Sequence, residues 1–191
     1  MTDDPGYLNI HQEYIDKCRK GDRKAQFEIY RLYYKSMYNT SLRIVKDARE
    51  AEDIMQDSFL SAFIKIKTYS GKVSFGAWLK KIVINNSLDT LKKKKILTQE
   101  LNEELPEKAL KEEEHEEDFA NIRIEDIKDE IFKLSDGYRI VLSLHLLEGY
   151  DHEEIAEILG ISSSTSRSQF TRAKQKLIMI MKEKKKMYGE S

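Results

Sequence analysis

The chain holds one cysteine, Cys18, among 191 residues, which excludes an intrachain disulfide and makes a reducing cytoplasm the expected setting. Two prolines and eight glycines are too few for a fibrous or loop-dominated protein. Four histidines scattered around that single cysteine supply no zinc-site spacing, so no metal is expected. There is no glycine-rich stretch of the kind that cradles phosphates, and no cofactor is expected. The first residues are acidic and polar, and no apolar run approaches bilayer-spanning length. A protein without signal peptide or membrane insertion is the expectation. Sustained strand alternation is missing too, and with 35% charged and 40% hydrophobic residues the expected fold class is all-α.

The formal net charge of −1 conceals a segregation. Residues 1–95 hold 19 Lys and Arg against 12 Asp and Glu, residues 96–133 hold 5 against 14, and within 163–187 the count is 8 against 1. Two basic regions flank an acidic one, a layout suited to gripping a polyanion at two places. Residues 96–121 read as an acidic flexible linker with Pro106, and the run Lys111–Asp118 repels itself. It separates one small helical domain, 1–95, from another, 122–191.

In the first domain, helices are expected over about 11–20, 22–46, 48–67 and 75–94, with Gly21 as a break, Asp22 as an N-cap and a loop at 68–74. The long helix ending near 46 carries Phe27, Tyr30, Leu32, Tyr34, Met37, Tyr38 and Leu42. In the second domain, helices fall near 122–133, 137–148, 152–159 and 163–186.

The last two helices have the grammar of a helix-turn-helix. Ile155, Ala156 and Leu159 form a short apolar stripe that stops at Gly160, a residue suited to the left-handed conformation of a tight turn. Ile161 can plug the junction and Ser162 can cap the next helix, which buries Phe170, Ala173 and Leu177. Its other side offers Ser163, Ser164, Arg167, Ser168, Thr171, Arg172 and Lys174, residue types that bond to phosphates and base edges. An ordinary helical hairpin with a basic solvated side is the competing interpretation.

Two helices of the first domain show a second face. On 48–67, Ala51, Met55, Phe59, Ala62 and Ile66 make a core stripe, while Asp53, Gln56, Asp57, Leu60 and Ile64 share another. Carboxylates beside exposed aliphatics suit a protein partner with a basic rim; a helix buried on two sides by its own bundle is the alternative. On 75–94, Trp78, Leu79, Ile82 and Val83 point inward, whereas Lys81, Asn85 and Lys92 share an outer face and Lys92–Lys95 ends the helix, Lys93 included. The preceding loop, with Tyr69, Lys72 and Phe75, interleaves lysines with aromatics. Lysines neutralise phosphates and an exposed ring stacks on a base, so contact with single-stranded or melting DNA is expected. Aromatics that serve only the core, and lysines that satisfy a helix C-terminus, are the alternative.

Taken together, these strings resemble the extracytoplasmic-function (ECF) group of bacterial RNA polymerase sigma factors. Ala51-Glu-Asp-Ile-Met-Gln-Asp-Ser-Phe59 resembles the group's region-two string that docks on the polymerase clamp helices. Phe75-Gly-Ala-Trp-Leu-Lys-Lys-Ile-Val-Ile-Asn-Asn-Ser-Leu-Asp89 is similar to its reader of the −10 promoter element. Leu134–Leu142 followed by Glu148–Ile161 is similar to region four, which reads the −35 element. The resemblance implies a transcription initiation factor that is not an enzyme, with core RNA polymerase (clamp helices and flap) and promoter DNA as partners and an anti-sigma factor as a further candidate. It also implies that Asn85 and the 68–74 loop meet a flipped −10 base.

The chain departs from the group's pattern in three places. Ser164-Thr165-Ser166 replaces a Gly-Thr-Val step, Gln169 stands where a basic residue is common, and the proline after Leu134 is missing. Ser166 falls on the buried stripe, where its hydroxyl is expected to bond back to a helix carbonyl. Two rival functions remain at this level. A stand-alone helix-turn-helix regulator explains 134–186 but not the Asp53–Ile64 stripe. A nucleic-acid enzyme requires more than Asp53 and Asp57, which have no third ligand or histidine nearby in the sequence.

Overall fold

The computed structural model describes residues 10–94 and 123–189, and every regular element among them is helical. The acidic segment 96–121 expected as a linker lies outside the described residues. The chain divides into two compact units, residues 1–91 and 92–191.

The N-terminal unit is built from α1 (Gln12–Arg19), α2 (Arg23–Val45), α3 (Ala48–Lys65), a 3-10 turn (Ile66–Thr68) and α4 (Phe75–Lys93). Side-chain caps set the starts. Asp22 accepts from the backbone N–H of Lys24 and Ala25 at 2.8 and 3.1 Å, and Asp47 accepts from Glu50 at 2.8 Å. Ser74 accepts from Ala77 at 3.1 Å to open α4. Each such cap stabilises its helix by about 1 kcal/mol.

The core is Ile29 and Met37 from α2, Met55, Phe59 and Ala62 from α3, and Phe75, Leu79 and Val83 from α4, with Ile15 of α1 beneath them. Phe75 is at its centre, its ring centroid 5.6 Å from Tyr33, 5.5 Å from Tyr69 and 5.5 Å from Trp78. Complete burial of such a ring contributes about 2–3 kcal/mol, and each well-set aromatic pair adds roughly 1 kcal/mol. At Gly76 a Cβ would meet the Tyr33 ring at 3.0 Å, so the missing side chain lets α2 approach α4 there. Serines serve the same closeness elsewhere: the Ser41 and Ser87 hydroxyls meet at 3.0 Å, and Asn86 donates to Ser58 at 2.9 Å.

The C-terminal unit comprises α5 (Ile124–Lys133), α6 (Asp136–Leu142), a π-helical turn (Ser143–Leu147), α7 (His152–Leu159) and α8 (Ser163–Gly189). The expected single helix 137–148 is therefore α-helical only for its first half. Beyond it the Glu148 N–H reaches back five residues to the Ser143 carbonyl at 3.0 Å. Ala173, Leu177 and Met181 of α8 close on Ile131, Leu134 and Leu142.

A fully buried cation lies here. Arg139 is 0% exposed, pairs with Asp136 and donates from Nη1 to the Leu134 carbonyl at 3.2 Å. Removing one member of such a pair leaves a desolvated charge, which costs more than the pair is worth. Asp136→Ala should therefore destabilise this unit by about 3 kcal/mol. The helical circular-dichroism signal should show an earlier urea transition. Fluorescence of Trp78, the single tryptophan, reports the other unit and should keep its midpoint. Unchanged transitions in both signals would mean that Arg139 does not need Asp136.

Candidate nucleic-acid and partner interfaces

The turn between α7 and α8 is fixed at both ends. Asp151 accepts from the Glu154 N–H at 2.8 Å while the Glu154 carboxylate accepts from the Asp151 N–H at 2.9 Å, a reciprocal cap at the start of α7. Gly160 closes that helix at φ 71°, as expected for a left-handed terminator. Ser162 then caps α8, accepting from the Thr165 N–H at 3.0 Å. Ile155 and Ala173 are fully buried across the junction.

This packing turns Ser164, Arg167, Ser168, Thr171, Arg172 and Lys174 to solvent, with Ser163 half-buried at the first turn. Arg167 is held meanwhile by neighbours, donating to the Glu153 carboxylate at 3.0 Å and to the Ser163 hydroxyl at 3.1 Å. Both partners of that ion pair are largely exposed, so it is worth under about 1 kcal/mol and gives way readily to a phosphate or a base edge. Ser166 differs from expectation. It is fully buried, and its hydroxyl meets His152 Nδ1 at 3.0 Å rather than a helix carbonyl. A side chain on the neighbouring helix supplies the partner that local back-bonding would otherwise have given.

In the N-terminal unit the stripe on α3 is open. Asp53, Gln56 and Asp57 are exposed, and Leu60 and Ile64 are exposed by 62% and 82%, so the interpretation of a helix buried on two sides is ruled out. On α4 the side chains of Lys81, Asn85, Lys92 and Lys93 face solvent, and Lys72 does so in the loop before it.

The aromatics expected to offer a face to a base are turned into the core instead. Tyr69 is 3% exposed and Phe75 is fully buried. The Tyr69 hydroxyl donates to the Val73 carbonyl at 2.6 Å, and Arg19 donates to the Tyr69 carbonyl at 2.8 Å, with its guanidinium carbon 5.8 Å from the ring centroid. Tyr69 is thus a strut that folds the 70–74 loop against the core. The apolar side chain the loop does present is Val73, half exposed, which the sequence reading passed over in favour of larger rings. Phe27, exposed by 62%, was missed as well. The signal was available: it lies on the opposite side of α2 from the buried Ala25 and Ile29.

The family description "Sigma-70 region 2" matches residues 29–96 and "Sigma-70, region 4" matches residues 124–177, together well over half of the chain. The chain belongs to the sigma-70 family. Its similarity to curated sigma factors runs nearly end to end. The ECF RNA polymerase sigma factor SigW of Bacillus subtilis is 29% identical over 181 residues, covering 85% of this chain and 92% of that one. SigM of the same organism is 29% identical over 154 residues, 78% and 91% of the two chains. The RNA polymerase sigma-H factor of Pseudomonas aeruginosa is 26% identical over 174 residues, 86% and 90%. These relatives place the sequence in the ECF group.

Two solved structures share the fold. One is the sigma factor RpoE in complex with the anti-sigma factor NepR from Bartonella quintana, with a TM-score of 0.55 at 21% identity over 81% of this chain and 95% of that one. The other is CnrH in complex with the cytosolic domain of CnrY, with a TM-score of 0.54 at 18% identity over 91% and 97%. Within this sigma-70 chain the region-two match spans α3 and α4, and the region-four match ends inside α8.

The strut role of Tyr69 has a direct check. Tyr69→Phe keeps the ring and removes the bond to Val73, at a cost of about 1 kcal/mol in unfolding free energy. Trp78, whose ring centroid lies 5.3 Å from that of Tyr69, should report this as an earlier urea midpoint in its fluorescence. An unchanged midpoint would mean that the bond to Val73 does not hold the loop.

Proposed function

We propose that this sigma-70 chain is a transcription initiation factor that binds core RNA polymerase, directs it to promoters through −10 and −35 elements and assists strand opening. The observation that carries this reading is the coexistence of three outward faces: the acidic-apolar stripe of α3, the Lys81–Asn85–Lys92 face of α4 and the basic side of α8. A stand-alone helix-turn-helix regulator leaves the first two without an occupant. In this reading the chain has no catalytic chemistry of its own, its domains are residues 1–95 and 122–191, and residues 96–121 join them.

The stripe Asp53, Gln56, Asp57, Leu60 and Ile64 docks on a basic-rimmed helical surface of the polymerase, the aliphatics supplying burial and the carboxylates orientation. Promoter opening then proceeds by capture. Lys72, Lys81, Lys92 and Lys93 hold the backbone, and Asn85 offers both a donor and an acceptor to the edge of an unstacked base. Unstacking costs a few kcal/mol per base, and the contacts made by the flipped base offset it. At the other element α8 enters the major groove, where Arg167 and Arg172 reach base edges while Ser163, Ser164, Ser168, Thr171 and Lys174 hold phosphates and register.

Two experiments test this assignment. Asp57→Arg places a cation against a basic surface, so the variant should remain folded yet fail to capture core polymerase in a pull-down. Capture with unchanged affinity would reduce the stripe to plain surface. The second is a promoter-variant transcription series with reconstituted polymerase. Arg167→Ala should lose about 1–3 kcal/mol of discrimination at particular −35 base pairs. Asn85→Ala should keep −35 dependence and impair opening or base choice at −10. Lys93→Ala should weaken all promoters alike and flatten the salt dependence by roughly one phosphate contact. The same base-position profile for Arg167→Ala and Asn85→Ala would refute the two-reader scheme.

A further inference from the structure

Behind the outward side of α8 lies a cluster that the reading above does not use. The π-helical turn brings His145 over His152, with ring centroids 4.7 Å apart and planes only 7° from parallel. Phe170 of α8 stands edge-on to both, 4.6 Å from the first ring and 5.4 Å from the second. His145 Nδ1 lies 2.9 Å from the Tyr150 carbonyl, which can only accept, so this nitrogen carries the proton. His152 Nδ1 meets the buried Ser166 hydroxyl at 3.0 Å. When His152 is neutral with Nδ1 bare, the serine donates. Ser166 and Phe170 are one turn apart on the inner side of α8, directly behind Arg167 and Thr171. The imidazole pair therefore touches the first two turns of the reading helix from its inner side.

We propose that His145 and His152 are positioning residues for the DNA-reading helix, and that protonation of His152 within the stacked pair releases Ser166 and Phe170 and makes −35 recognition acid-sensitive. The inference rests on the assignment of α8 as the −35 reader. Its physics is a balance of neighbours. Burial opposes a proton on His152, as do the adjacent His145 and Arg167 of α8, while Glu153 and Asp151 favour it. The opposing groups prevail, and His152 is held below the ordinary histidine value of 6.5. Tyr150, pushed up to about 12 by burial and by Glu148 and Glu154, stays neutral throughout.

The sign follows from that direction. The folded arrangement prefers neutral His152, so its contribution is complete above pH 6.5 and is lost as the pH falls below that value. A proton also converts Nδ1 from acceptor to donor, which forces the Ser166 hydroxyl to turn its own hydrogen elsewhere inside a buried site.

The test uses the full chain and amide-exchange protection factors over residues 166–173, from about pH 7.5 to about pH 5.5. Protection in the parent should fall severalfold across that range, in the direction set by the preference of the folded arrangement for neutral His152. His152→Phe keeps a ring in the stack but takes no proton, and its protection should be flat; Ser166→Ala should lower protection at both ends. In reconstituted polymerase, the activity ratio between a −35-dependent promoter and the same promoter with a scrambled −35 block should fall over that range for the parent and hold for His152→Phe. A flat profile in the parent overturns the proposal, and this reading does not depend on any variant folding. Equal acid sensitivity of the parent and His152→Phe, or lost protection with an unchanged promoter ratio, overturns it too. Failure of the underlying assignment looks different: no −35 dependence at neutral pH.

Discussion

Units as small as residues 1–91 and 92–191 can bury only a thin layer of side chains between helices, and each helix has one face to give to it. Whatever recognises a partner must come from the faces left over. The core therefore has to be held by strong, compact interactions that leave those faces free. In the N-terminal unit the rings of Tyr33, Tyr69 and Trp78 around Phe75 do this, tying α2, the 66–74 turn and α4 together through one buried ring. In the C-terminal unit the buried Arg139 and the Ala173–Leu177–Met181 stripe of α8 take the same role.

The leftover faces are electrostatically sorted. Leu60 and Ile64 remain in water beside Asp53 and Asp57, an arrangement that gains only when a complementary surface arrives. The outer sides of α4 and α8 carry lysine and arginine exposed to solvent. Folding and recognition are thus carried by different residues, and substitutions on the outer faces should alter binding without altering stability. Ser166 is where the two overlap, since it is fully buried yet sits behind the reading face.

Local chemistry made much of this legible in the sequence. Asp22 as a cap, Gly160 as a left-handed stop, Ser162 as the next cap and the Ala51–Ile66 core stripe all follow from rules that act within one or two turns. The strings Ala51–Phe59, Phe75–Asp89 and Glu148–Ile161 carried the family resemblance. What was not legible depends on contacts distant in sequence. Tyr69 and Phe75 look like a stacking platform in a basic loop, and only the approach of α1 and α2 turns them inward. The π-helical turn at Ser143–Leu147 breaks a pattern that continues as a helix in the sequence. Ser166 was expected to bond locally because nothing in its neighbourhood announces His152, fourteen residues earlier, as its partner.

The central claim is that one chain supplies both polymerase docking and two separate readings of DNA. It is tested most directly by transcribing a library of random DNA fragments with core RNA polymerase, with and without this chain, and mapping the start sites. The account predicts new, discrete start sites that appear only with the chain, each preceded by two recurring sequence blocks at a constant separation. Start sites indistinguishable from those of core polymerase alone, or preceded by a single recurring block, would contradict it.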